Sequence, residues 1–275
     1  MATTRIVYLL LAITLIPACA WHSEEGDKTR NWSASKFYTE ASRAMKRGNY
    51  ETAIELYEKL EARFPFGRYA TQAQLDIAYV YYNYDEPDAA LAAFDRFIKL
   101  HPRSPHVDYA YYMKGIVNFN NSLGIIERFL PSDTSQRDAG AAMDSFDDFS
   151  ELVRRFPTSK YSKDAQKRLI YLRNNLARYE VHVAEYYMDR GAYLAAANRS
   201  VYVVENFQRT PSVRDALKTM IKAYDKLGMD KLSADASRVL AVNQKTGTFD
   251  YIDEDAAKAK PLGRKVWDFM GLDKN

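Results

Sequence analysis

Residues 33–65 read SASKFYTEASRAMKRGNYETAIELYEKLEARFP, and the fold is decided here. Phe37, Ala41 and Ala44 recur at helical spacing, and so do Ala53, Ile54, Tyr57 and Leu60, so the stretch predicts two short amphipathic helices. Arg47-Gly48-Asn49-Tyr50 joins them. Gly48 suits the end of the first helix, because glycine adopts the left-handed conformation of a helix C-cap without a Cβ clash. Phe64-Pro65 ends the second, since the residue before proline is pushed out of the helical region. Ala41, Ala44 and Ala53 are small where the two helices must approach.

The pattern recurs. A shift of about 37 residues carries Ala53 onto Ala90, Tyr57 onto Phe94 and Pro65 onto Pro102, with Asp85 in place of Gly48. Further copies run Gly140, Ser145, Phe149, Leu152, Phe156-Pro157, then Ala184, Tyr187, Gly191, Tyr193, Ala196, Val203, Phe207, and last Leu217, Tyr224, Gly228, Ser233, Leu240. Small, small, Gly, Tyr, Ala, aromatic, Pro is the tetratricopeptide pattern. One helix pair cannot bury its apolar face alone, whereas stacked pairs can. The expected fold is all-α, a right-handed superhelix of about five such repeats.

Composition agrees. Of 275 residues, 47% are hydrophobic and 27% charged, enough for a sizeable core. The formal net charge of +3 is small for this length and argues against nucleic acid as a partner. The single cysteine leaves no disulfide framework and no cysteine-based metal site within one chain.

That cysteine is Cys19. Arg5 supplies a positive start and residues 6–16 an apolar run of signal-peptide length, too short to cross a membrane as a helix. Leu15-Ile16-Pro17-Ala18-Cys19 resembles the bacterial lipobox, in which the cysteine is lipidated after cleavage. The reading assigns 1–18 to a lipoprotein signal peptide and 19–32 to a lipidated N-terminus with a flexible tether. Residues 33–160 hold repeats 1–3, residues 161–243 a long linking helix with repeats 4–5, and residues 244–275 a tail. More than one acyl chain gives stable anchoring rather than spanning.

The first helix of each repeat is expected to line the inner face. Tyr38, Ser42, Met45 and Lys46 fall there in repeat 1, Leu75, Tyr79, Tyr82 and Asn83 in repeat 2, and Tyr112, Ile116, Phe119 and Asn120 in repeat 3. Repeats 4 and 5 place Val181, Glu185, Met188, Asp189, Lys218, Lys222, Asp225 and Lys226 there. The face thus turns from aromatic to charged along the chain. Tyr38, Tyr79, Tyr82, Tyr112 and Phe119 form a candidate groove for peptides with aromatic anchors. Packing of the same rings into the core is the competing reading.

Two stretches depart from the repeat. Ser122–Pro131 belongs to an insertion at 122–136 and reads as a loop. Residues 161–190 read as one long helix or two nearly collinear ones, with Leu169, Leu172, Leu176 and Val183 buried. In the tail, Lys265–Met270 is either incidental or a helix that binds a partner or docks back. Four histidines, none at metal-ligand spacing, and the absence of HExxH, GxSxG and phosphate-binding glycine motifs indicate no catalytic site, no metal and no cofactor beyond lipid on Cys19.

Several phrases converge on one family. Arg63-Phe64-Pro65-Phe66-Gly67-Arg68-Tyr69, Asp95–Pro102, Phe146–Val153, Lys167-Arg168-Leu169 and Val183–Tyr187, following the lipobox, closely resemble the BamD (ComL) family of tetratricopeptide lipoproteins. The resemblance covers residues 33–242. It implies a non-enzymatic scaffold on the periplasmic face of a Gram-negative outer membrane, within the β-barrel assembly machinery. Its implied partners are the POTRA region of the barrel-shaped assembly protein, other assembly lipoproteins and unfolded outer-membrane proteins. Asn198-Arg199 matches a family pair whose arginine is implicated in the contact with the assembly protein. An envelope lipoprotein that organises peptidoglycan-modifying enzymes is the alternative.

Overall fold

The computed structural model describes residues 28–127 and 139–246, with the side chains of 123–127 excepted. Cys19, the stretch read as a signal peptide, most of the stretch read as a tether, residues 128–136 of the insertion and the tail from 247 lie outside the described residues. Among the described residues there are ten α-helices and no strand. They fall into two compact units, residues 1–73 and 74–275.

The first unit holds α1 (Ala34–Lys46) and α2 (Tyr50–Arg63). The Ser33 hydroxyl accepts from Lys36 N–H at 3.3 Å and the Asn49 side chain from Thr52 N–H at 3.3 Å, so each helix starts on a polar cap. Gly48 takes φ 75°. Its N–H donates to the Met45 carbonyl and that of Asn49 to the Ala44 carbonyl, both at 3.0 Å. This pair of bonds reverses the chain and satisfies carbonyls the helix end would leave unpaired. Phe37, Ala41, Ala53, Tyr57 and Leu60 are fully buried between the two helices.

α3 (Arg68–Asn83) begins in the first unit and ends in the second. The second unit continues with α4 (Pro87–Leu100), α5 (Val107–Glu127), α6 (Gly140–Arg155), α7 (Ser162–Asp189), α8 (Tyr193–Asn206), α9 (Ser212–Lys226) and α10 (Asp230–Lys245). From α4 onward each helix packs on the next, and α7 also packs on α9. The reversal seen at Gly48 recurs at Asp85, Gly191 and Gly228, all with positive φ. At Asp85 a residue with a Cβ occupies the left-handed position, which a short acidic side chain tolerates. Helices α2, α4, α6 and α8 end alike: the N–H groups of Phe64, His101, Phe156 and Phe207 each close back on the carbonyl four residues earlier at 2.8–2.9 Å.

Two expectations are refined. The Ser122–Pro131 stretch is not a loop from its start, because α5 runs on to Glu127. Within residues 161–190, Ser162–Asp189 form one continuous 28-residue helix, α7. Leu172 and Leu176 are buried on it, whereas Leu169 and Val183 are only partly covered.

α5 and α6 make a close approach. The Ser145 hydroxyl donates to the Gly115 carbonyl at 2.9 Å, and a Cβ at position 115 would stand 2.5 Å from the Phe149 ring. Phe149 is fully buried, so neither ring nor helix has room to move. Gly115→Ala is expected to destabilise the protein by about 1–3 kcal/mol through overpacking, despite the roughly 1 kcal/mol that alanine gains in helix propensity. Thermal melting followed by circular dichroism checks this; an unchanged midpoint would show that the two helices have slack.

Candidate functional site

Four of the five aromatic residues expected on the binding face lie in the second unit. Tyr79 and Tyr82 come from α3, Tyr112 and Phe119 from α5. Tyr38 belongs to the first unit, where its half-buried ring sits 5.9 Å from Tyr57 and 5.5 Å from Tyr69. Cys19 lies outside the described residues.

Tyr79 is 36% exposed, and its ring centroid is 6.3 Å from that of Tyr82. The Tyr82 hydroxyl accepts from Asn120 Nδ2 at 2.6 Å, and Asn83 Nδ2 donates to the Tyr79 carbonyl at 2.7 Å. Tyr82, Asn83 and Asn120, with Asp85, Pro87, Val117 and Asn121, line a cavity of about 230 Å³. The surface combines the exposed edge of an aromatic pair, of which Tyr82 packs partly on the core, with three carboxamides. Each carboxamide both donates and accepts, which suits the backbone of an extended peptide, while the rings offer apolar area at low entropy cost.

Tyr112 is held rather than offered. Its ring stacks on Tyr161 at 4.8 Å and its hydroxyl donates to Asp164 Oδ2 at 2.8 Å. Arg168 Nε donates to the same carboxylate oxygen at 2.6 Å. Burial pushes the Tyr112 phenol up to about 12, with Arg168 pulling the other way. Burial also raises Tyr109, beside Tyr79 and Tyr161. Both phenols therefore stay neutral at physiological pH, and that of Tyr112 serves as a donor.

Phe119 does not line an open face. It is 1% exposed, packed with Phe149, Leu152 and Leu172, 5.7 Å from Tyr171 and capped by Arg168 at 4.8 Å. Leu75 and Val181, also expected on the inner face, are buried at 4% and 5%. The reason for Phe119 is geometric. α5 contributes Met113 and Val117 to a core with α3 and α4, and Tyr111 and Phe119 to a second core with α6 and α7. A helix with two buried stripes leaves fewer open positions than the repeat register supposes.

At the charged end, Glu185, Asp189, Lys218, Lys222, Asp225 and Lys226 are exposed. Arg199, on α8, reaches back to α7, where its Nη1 lies 3.0 Å from Glu180 Oε2. The hydrogen bond to Glu180 is the chief cause that raises the arginine further and keeps it charged. The Arg199 side chain is 45% exposed and that of Glu180 12%, so the guanidinium is open to solvent on one side and braced on the other. Among the described residues no group of three His, Cys, Asp or Glu side chains is placed to hold a metal ion. No described helix is long and apolar enough to cross a membrane.

The outer membrane lipoprotein family YfiO matches residues 30–240. The chain belongs to this family. Membership places it at the outer membrane. Outer membrane protein assembly factor BamD of Neisseria meningitidis serogroup A is 44% identical to this YfiO chain over 241 residues, covering 86% of it and 90% of the relative. The BamD of Vibrio cholerae is 33% identical over 234 residues, covering 85% and 96%. That of Haemophilus influenzae is 31% identical over 254 residues, covering 92% and 95%. The family match ends before the tail.

Tyr109, Tyr161, Asp164 and Arg168, which fix Tyr112 in this YfiO chain, escape sequence reasoning because they come together from separate helices. The one local trace is the Asp164–Arg168 pair at i, i+4. The two fates of the rings predict different mutants. Phe119→Ala should lower stability by about 3–5 kcal/mol. Tyr79→Ala should cost distinctly less, because its residue stays 36% exposed where Phe119 is 1% exposed. Chemical denaturation of both variants checks the contrast, and equal losses would erase the distinction between core and face.

Proposed function

We propose that the chain works as an outer membrane protein assembly factor, a lipid-anchored scaffold on the periplasmic face of the outer membrane. The observation that carries this reading is the 44% identity to a BamD assembly factor over 86% of the chain. The scaffold is non-catalytic. Covalent lipid on Cys19 is its attachment and its only added group.

In this reading the cavity beside Tyr79 and Tyr82 receives extended segments of unfolded outer-membrane proteins. An aromatic residue of the segment lies on the exposed Tyr79 ring, and the carboxamides of Asn83, Asn120 and Asn121 meet its backbone. Tyr112 supports the face through Tyr161 and Asp164 and does not itself grip the segment. Tyr38 makes a second aromatic spot on the first unit. Arg199 meets a carboxylate on the POTRA region of the barrel-shaped assembly protein. Other assembly lipoproteins complete the set of partners.

Tyr79→Ala combined with Asn120→Ala should weaken crosslinking to a peptide that copies a barrel protein's aromatic C-terminus by about tenfold, while Phe119→Ala, which lowers the melting midpoint, should leave capture by the folded protein unchanged. Peptide capture equal to wild type would remove the cavity from the reading.

Arg199→Glu should abolish co-purification of the assembly protein from detergent extract while helicity stays normal. Arg199→Lys keeps the charge but loses the planar two-pronged geometry, and is expected to retain only part of the recovery. Full recovery with Arg199→Glu, or peptidoglycan enzymes recovered in place of the assembly protein, would overturn the partner assignment.

A further inference from the structure

The first unit leaves one large ring almost wholly in water. Phe66 stands in the turn after α2 and is 90% exposed, far more than the other exposed large apolar side chains described. Phe64, two residues before it, is tucked towards Phe37, with ring centroids 6.3 Å apart.

The turn that carries Phe66 is fixed. The Phe64 N–H closes on the Leu60 carbonyl at 2.8 Å, and the Thr71 N–H closes on the Gly67 carbonyl at 3.2 Å. Gly67 takes φ 104°, a conformation that requires glycine. The ring stands outward between a helix end at Phe64 and a helix start at Gly67.

The chain also enters the fold here. Arg63 Nη1 donates to the Thr29 carbonyl at 2.7 Å, and Thr29 is buried. Trp32 then rests on Phe37 at 5.2 Å. The segment arriving from Cys19 is thus pinned to the last residue of α2, three positions before Phe66. The roughly ten residues between Cys19 and Thr29 span at most about 35 Å. Lys28 and Arg30 flank Thr29 and are exposed, and Arg68, two positions after Phe66, is exposed with its guanidinium 4.8 Å from the Tyr69 ring.

We propose that the Phe66 turn is a second membrane contact, in which Phe66 enters the boundary between headgroups and acyl chains beside the lipid anchor. Lys28, Arg30 and Arg68 face the phosphates of anionic phospholipid. The inference rests on the reading of Cys19 as the anchor. A lipid on a tether fixes distance from the bilayer but not orientation. One inserted ring is weak alone, yet the tether turns its insertion into an intramolecular event with a high effective concentration. Cations near an anionic surface add to it and make it salt-dependent.

The test uses the mature chain from Cys19 to Asn275 in vesicles of phosphatidylethanolamine with about one quarter phosphatidylglycerol. Cys19 is consumed by lipidation, so Phe66→Cys accepts a nitroxide label selectively. The label at 66 should be shielded from an aqueous nickel complex and accessible to oxygen, whereas a label in Glu55→Cys stays aqueous. Equal aqueous accessibility at both positions overturns the proposal. So does shielding at 66 that requires added envelope proteins, which would make the turn a protein contact.

A second arm needs no lipid anchor. The Cys19→Ser chain without signal peptide should float with these vesicles at low salt, and Phe66→Ser should reduce the bound fraction about tenfold. No difference between the two overturns the proposal. Failure of the anchor reading appears separately, as a processed mass lacking diacylglycerol, and leaves this comparison intact.

Discussion

Close approach of helices over small residues is the constraint on which the rest depends. Ala41 and Ala53 flank Tyr57 in the first unit, Ala78 and Ala90 flank Phe94, and Gly115 faces Phe149; all of these are buried. A ring fills the gap between two backbones only when the opposing residue has little or no side chain. The left-handed reversals at Gly48, Asp85, Gly191 and Gly228 bring the chain back at the spacing this packing needs. Polar bonds then fix register, as where Lys114 Nζ lies 2.6 Å from Asp95 and 3.2 Å from Asp148, tying α4, α5 and α6 together.

Once that core is filled, the remaining aromatics divide by what surrounds them. Phe119 is drawn in because α5 has neighbours on two sides. Tyr112 is half drawn in, its hydroxyl satisfied by Asp164. Tyr79 remains at the surface, and Phe66 is held there by a turn. Arg199 shows the same economy with charge. Because Glu180 already holds the guanidinium, any carboxylate brought to it from outside would exchange one ion pair for another. Such an exchange selects geometry more than it adds affinity.

The repeat phrases made the helix pairs legible, since Gly48, Pro65, Pro102 and Pro157 each mark a chain reversal or a helix end. Asp85 was legible as a substitute for glycine, and it occupies the same left-handed position. The extent of α5 was not: the insertion from Ser122 read as a loop, yet no proline interrupts the chain before Pro131, and the helix continues to Glu127. The open face was legible only in part. Repeat register tells which way a helix faces, but not how many neighbours it has, and that number decides the fate of Leu75, Phe119 and Val181. Tyr161, Asp164 and Arg168 depend on contacts across some fifty positions of chain, which local periodicity does not encode.

α7 has a mechanical consequence. At 1.5 Å per residue its 28 residues form a rod of about 42 Å. Ala165 and Leu172 near its start belong to the core shared with α5 and α6, and Ala177 and Val181 to the core shared with α8 and α9. The two cores are therefore threaded on one beam, with no loop between Leu172 and Ala177 to act as a pivot. A load applied at the Arg199 end reaches the helices around Tyr112 by elastic bending of a single helix. Within the second unit, stiffness is the property that α7 confers.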